Sequence, residues 1–196
     1  MPIAIARTIV HTMPAARLAY MGEAGAFGEA ACALADAGAV AVPCVNAADA
    51  IAAVRAGDCA AAVLPVHSSV AGPVDAVLAL LPDSGLVAAA HVAVPITMAL
   101  LGAPGAHVDD IRIVASHPVA LAQCSRLLAR LGVPTEDAST TAAAAAALAR
   151  SGAHDRAVLA SAHAAALYGL AVLDADAGDE PAAVTIFAVL VAPARD

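Results

Sequence analysis

Short apolar runs alternate with Ala-rich stretches along this chain, and that alternation restricts the fold more than any other feature. RLAYMG is followed by a helical stretch from about Ala24 to Ala37, AVAVPCV by one from Asn46 to Ala56, and CAAAVLPV by one from about Gly72 to Leu81. Apolar runs of strand length, separated by segments of high helix propensity, read as β-α repetition and hence as an α/β fold. Asn46 ahead of Ala47, Ala48 and Asp49 has the form of a helix N-cap with an acid in the first turn, and Gly57 supplies the stop. A second series begins after Leu86. VAAAHVAVPITMALLG reads as paired strands, IRIVASHP as a strand ending in a loop, and Val119 to Leu131 as one helix. A helix after Ser139, Thr140 and Thr141 runs through consecutive Ala to Arg150; RAVLAS is then a strand, SAHAAALYGL a helix and AAVTIFAVLVA a last strand. No linker separates the series. Two lobes are expected, residues 1–90 with 165–196 in one and 91–164 in the other, with crossings near 88–95 and 160–180. A cleft between such lobes is the default binding site.

Composition narrows what the lobes can bind. Hydrophobic residues make up 62% of the chain, yet with two Phe, two Tyr and no Trp the core has to be packed from Ala, Val and Leu. No apolar run reaches the roughly 18 to 20 uninterrupted residues of a membrane span. The N-terminus carries Arg7, His11, Pro14 and Arg17 and runs straight into the first strand, so a secretory leader is not expected and a cytoplasmic location is. The net charge is −8 and Lys is absent, which excludes the electrostatic footprint of a nucleic-acid binder. Nine Arg are the permanent side-chain cations available to an anionic ligand, beside backbone N–H groups at helix starts. Cys32, Cys44, Cys59 and Cys124 form no CxxC pair and share no zinc spacing with a His, so they read as buried free thiols. His11, His91, His107, His154 and His163 likewise have no metal-binding spacing. No phosphate-binding Walker loop is present, and Gly22, Gly25 and Gly28 do not fit the Gly-x-Gly-x-x-Gly order. No metal or organic cofactor is expected.

Four segments carry a resemblance. AYMGEAGAFGEAA from Ala19, VLPVHSSVAGPVDAVLALL from Val63, ASHPVALAQCSRLL from Ala115, and SAHAAALYGLAVL with the later AAVTIF occur in that order. Together they resemble the catalytic domain of the prephenate dehydratase family. Gly22, Gly25, Phe27, Glu29, Pro65, Ser69, Gly72, Ser116, His117, Pro118, Gln123, Cys124, Thr185 and Phe187 match the family pattern. Ala26 and Gly28 stand where it has Thr and Ser, His67 and Ser68 where it has Glu and Asn, and Ala183 and Ile186 where it has Asn and Arg. The resemblance implies a two-lobed α/β fold of the type II periplasmic-binding-protein kind, with the active site in the interlobe cleft. It further implies a small dicarboxylate ligand such as prephenate and a homodimer. Because the chain stops after Val189 to Asp196, no phenylalanine-sensing ACT domain is expected.

The altered positions bear on chemistry. Dehydration of prephenate needs a donor that protonates the departing hydroxyl, the role given in the family to the Thr matching Thr185. Here that Thr has lost its Arg and Asn neighbours. Decarboxylation with retention of the hydroxyl needs an acid near the ring instead, and His67, read as lying in the loop after CAAAVLPV, brings an imidazole that can donate a proton. A His in this loop and an aliphatic residue at the Arg position are similar to the non-aromatising prephenate decarboxylase branch. The expectation is therefore a lyase that decarboxylates prephenate without aromatising it, with His67 and Thr185 as catalytic candidates. Substrate-binding candidates are Gly22, Gly25, Ala26, Phe27, Ser68, Ser69, Ser116, His117, Gln123 and Phe187. A divergent dehydratase giving phenylpyruvate is the alternative, and a non-catalytic module for a small carboxylate is an alternative of another class. Ser116 and His117 do not read as a hydrolase dyad, since sequence neighbours at a strand end point apart.

Overall fold

A computed structural model describes residues 15–194, so the reading of the first residues and of His11 lies outside the described part. In chain order the elements are β1 (Arg17–Met21), α1 (Phe27–Ala35), β2 (Val40–Cys44), α2 (Ala47–Arg55), β3 (Ala61–Ser68), β4 (Gly72–Pro73) and α3 (Asp75–Leu78). They continue as β5 (Val87–Pro95), β6 (Ala99–Gly102), β7 (Ile113–Ser116), α4 (Pro118–Ala122), α5 (Ser125–Leu131), β8 (Thr135–Asp137) and α6 (Thr141–Ser151). The last are β9 (Arg156–Ala160), α7 (Ala162–Tyr168), β10 (Ala171–Asp174) and β11 (Val184–Val191). The described residues divide into two compact units: one holds residues 15–21, 28–94 and 185–194, the other Gly22–Phe27 and Pro95–Val184.

The first unit is built on a sheet of order β2-β1-β3-β11-β5, with β4 paired to β3. β1 runs parallel to β2 and β3, and β11 is antiparallel to β3. Ala62 and Leu64 of β3 and Ala188 and Leu190 of β11 meet Ile51 and Val54 of α2 and Val77 of α3 in one buried cluster. Burying a side chain such as Leu64, which is 0% exposed, is worth about 1.5–3 kcal/mol. On the other face α1 sits against Tyr20 so closely that a Cβ on Gly28 would lie 3.0 Å from the ring. Asn46 caps α2 as read from sequence, its side chain accepting from Asp49 N at 2.9 Å.

The second unit has a sheet of order β10-β6-β9-β7-β8, in which β7 is parallel to β8 and β9 while β6 is antiparallel to β9 and β10. β6 and β9 are covered on both sides, which is why their sequences, ALLG and RAVLA, are almost wholly apolar. The period of two splits them between two cores. Leu100, Val114 and Leu159 pack with Leu121 and Leu127 of α4 and α5. Leu101, Ala115 and Val158 pack with Ala144, Ala145, Ala164 and Ala165 of α6 and α7.

Several expectations are corrected. The stretch VAAAHVAVPITMALLG forms two strands that do not pair with each other: β5 lies beside β11 in one sheet and β6 between β10 and β9 in the other. Residues 165–184 belong with the second unit, because β10 pairs with β6, and residues 22–27 join it as well. The helix expected from Gly72 shrinks to α3, since Gly72 has φ +77° and pairs with Ser68 in a hairpin. The single helix from Val119 to Leu131 is broken into α4 and α5 at Gln123 and Cys124.

Candidate functional site

In the second unit, three parallel strands each run into a helix at their carboxyl ends. β7 leads to α4 through Ser116 and His117, β8 to α6 through Thr140, and β9 to α7 through Ser161. Each turn supplies an N-cap. His117 Nδ1 accepts from Val119 N at 3.3 Å, Thr140 Oγ1 from Ala143 N at 2.9 Å, and Ser161 Oγ from Ala164 N at 3.1 Å. Thr140 and Ser161 have their hydroxyl hydrogens left over, and both go to the segment GEAG. Thr140 donates to Glu23 Oε2 at 2.6 Å and Ser161 to the Gly25 carbonyl at 3.0 Å, while the Tyr168 hydroxyl donates to the Ala24 carbonyl at 2.7 Å. Three hydroxyls thus hold one short loop. Gly25 is required there twice over: its φ is +86°, and a Cβ would lie 3.2 Å from the Ala164 backbone. Ala26 closes a turn onto Glu23, its N–H donating to that carbonyl at 3.1 Å. Phe27 packs against the Leu-rich core, and Gly22 is buried with φ +107°.

Two of the sequence candidates have structural duties. Ser116 is 0% exposed and donates its hydroxyl to the Leu159 carbonyl at 2.6 Å, so it binds strand β9 internally, and His117 rather than Ser116 caps the helix. Gln123 is half-buried as the C-cap of α4, and its carbonyl accepts from Asp179 N at 2.7 Å. Asp179 explains the helix break beside it. Its carboxylate accepts from Ser125 N at 2.8 Å, Ser125 Oγ at 2.7 Å and Arg126 N at 3.1 Å, capping α5 from outside the helix. The Ser125 hydroxyl, then the two backbone donors and the Arg126 charge, hold this carboxyl below its usual range against an opposing loss of solvent.

The first unit places the remaining candidates by strand pairing. Thr185 lies opposite Ser68, and Ile186 opposite His67. His67 is therefore in strand β3 rather than in a loop, also facing Pro73 of β4. Residues directly opposite share a face and successive residues alternate, so Thr185 and Ser68 point to one side of the sheet and His67 and Ile186 to the other. The Ser68 hydroxyl accepts from Val70 N and Ala71 N at 3.2 Å each, which tightens the hairpin. His67 and Ser69 are exposed and Thr185 is half-buried. Phe187, after a register shift in β11, is buried opposite Pro65.

Among the described residues no group of three His, Cys, Asp or Glu is arranged to hold a metal ion, and no helix is long and apolar enough to cross a membrane. Cys32 and Cys124 are buried thiols pushed up to about 12, mainly by loss of solvent. Sequence reasoning singled out neither the tertiary partners of the glycine loop, Ser161 and Tyr168, nor Asp179. Ser161 ahead of AHAAA is a legible N-cap, but its bond to Gly25 spans 136 residues and leaves no local trace.

These features define an α/β protein of two sheets whose candidate residues cluster at strand ends, on a glycine-bearing loop and on one antiparallel strand pair. Residues 18–195 match the family described as prephenate dehydratase, and the chain belongs to that family. It is 37% identical over 174 residues to arogenate dehydratase/prephenate dehydratase 2 of Arabidopsis thaliana, across 89% of this chain and 46% of that protein. It is 36% identical over 156 residues to a bifunctional N-acyl-homoserine lactone acylase/prephenate dehydratase of Komagataeibacter europaeus, across 80% of this chain and 56% of that one. Among solved structures, prephenate dehydratase from Arthrobacter aurescens in complex with L-Phe superposes with a TM-score of 0.84 at 34% identity, over 91% of this chain and 61% of that chain. The chain thus spans about half the length of the curated relatives it matches.

Proposed function

We propose that this chain acts as a lyase of the dehydratase type on prephenate or on its aminated counterpart arogenate, rather than as the non-aromatising decarboxylase that His67 suggested. The relatives named above support the reaction class. One observation carries the choice within it: the alternation of β3 and β11 puts Thr185 and His67 on opposite faces of the strand pair, so the two cannot serve one ring together. Thr185 keeps a hydroxyl-bearing partner across the ladder in Ser68. In the proposed step the electrons of the ring–carboxylate bond move through the diene as carbon dioxide leaves. Hydroxide is expelled from the opposite ring carbon with a proton from Thr185, giving water and an aromatic ring.

A second reading has one observation in its favour, since Ile186 faces His67 where the family pattern has Arg. Decarboxylation with retention of the hydroxyl would then use His67 as the acid. The acylase half of the K. europaeus relative's name is not carried over, because Ser116 is buried with its hydroxyl committed to Leu159. Incubating the chain with prephenate and with arogenate, and following the ultraviolet spectrum, decides among these. Phenylpyruvate or phenylalanine supports dehydration, a non-aromatic product that keeps its hydroxyl supports the second reading, and an unchanged spectrum leaves a binding module. The homodimer belongs to this proposal, and light scattering at micromolar concentration tests it.

A further inference from the structure

An open sheet edge is a template for another strand unless something on it blocks pairing. Three of the four outer strands carry a block. β2 contains Pro43, which has no N–H to donate, and β8 is three residues long and brings Glu136 and Asp137. β10 is four residues long, shifts register between Val172 and Asp174, and ends on that Asp. β5 has no such device. With nine residues it is the longest described strand, its sequence VAAAHVAVP holds no Asp, Glu, Lys or Arg, and Pro enters only at its last position. Among the described residues no strand pairs with its outer side, and Val87, Ala88, Ala89, His91 and Ala93 are exposed.

Charge says what kind of chain fits there. No Asp, Glu, Lys or Arg occurs between Asp83 and Asp109, in a chain whose net charge is −8. A second copy carries the same excess of acid, so it meets least repulsion where that charge is absent. A basic partner would be drawn to the acidic surfaces instead. The order of residues fits a copy as well. Turned antiparallel about His91, the strand sets Ala90 against Val92, Ala89 against Ala93 and Ala88 against Val94, with no charge to mismatch.

We infer that β5 is the interface of the homodimer proposed above, two copies joining their first sheets edge to edge across a two-fold axis near His91. This rests on the homodimer and not on the reaction chemistry. Each copy uses its open edge on the other, so the assembly closes at two.

Sedimentation and backbone amide exchange test this on the full chain, along a dilution series from about 100 μM to about 0.1 μM that brackets a modest interface. The native chain should show twice the mass of one chain, with the amides of residues 88–94 slowed in the dimer. His91→Lys sets two like charges against each other on the axis and should raise the dissociation constant at least about tenfold. Val172→Lys, on the edge of the other sheet, should leave it unchanged. His91 is exposed and edge strands accept Lys, so the fold is retained, and Ala89→Lys repeats the test two residues away. A monomeric native chain overturns the inference together with the homodimer. A dimer whose dissociation constant both β5 variants leave unchanged, or whose β5 amides exchange as fast as in the monomer, overturns the inference alone and moves the interface elsewhere. A mass that keeps rising with concentration overturns it too, since paired edges leave none to extend.

Discussion

The two candidate regions are positioned by different means. In the second unit the loop GEAG is held by side chains, with Thr140, Ser161 and Tyr168 each giving up a hydroxyl hydrogen to it. In the first, His67, Ser68 and Thr185 are held by the backbone ladder of β3 and β11 and make few side-chain bonds across it. A loop fixed by side chains loses its place when one of them is cut, so changes there register first as stability. A ladder survives substitution of its side chains, so changes there register as turnover.

Exchanging Thr185 for Val is the sharpest probe of that contrast. Val keeps the shape and strand preference, so turnover should fall by about a hundredfold or more while the thermal midpoint stays within about 2 °C; a preserved rate removes Thr185 from the chemistry. Next in size is Gly25→Ala, which forces a side chain into positive φ against the Ala164 backbone. A loss of about 1–3 kcal/mol in urea unfolding is expected, and an unaffected midpoint would mean the loop is not held as described.

Asp179→Asn should cost about 1 kcal/mol at pH 7, the usual worth of a helix cap. The native carboxyl titrates below its unfolded counterpart, so it stabilises above the unfolded value of about 4 and loses that contribution as pH falls through the lower folded value. Melts recorded from pH 7 to pH 2 should show the two proteins converging in acid, and a constant gap contradicts the cap. The smallest effect is assigned to His67→Ala. Exposed and on the opposite face from Thr185, it should change turnover by less than about threefold, in contrast to the hundredfold or more usual for a lost general acid. A collapse of activity with a non-aromatic product in the native chain would restore His67 to the centre.

What the sequence disclosed follows the range of the forces involved. Alternating apolar and Ala-rich segments, the Asn46 cap and the order of most strands were legible because each depends on neighbours within a turn or two. The pairing of VAAAHVAVPITMALLG was misjudged because adjacency in sequence suggested a hairpin, while β5 and β6 find their partners some ninety and sixty residues later, in β11 and β9. The break at Gln123 was invisible for the same reason, its cause being a carboxylate 54 residues from Ser125. His67 looked catalytic from its residue type and from the resemblance of its segment. Its facing could be judged only once the register opposite Ile186 was known.

Strand β11 lies between β3 and β5, and it follows every other described element along the chain. Chains leave the ribosome from the N-terminus at about 5–20 residues per second, so β5 waits roughly 5 to 20 s for its neighbour. During that interval two strand edges stand open in the first unit, on either side of a gap, while the strands of the second sheet emerge one after another. A nascent chain of this kind is open to wrong pairing until β11 arrives, and a holding chaperone that covers β3 and β5 would act in that window.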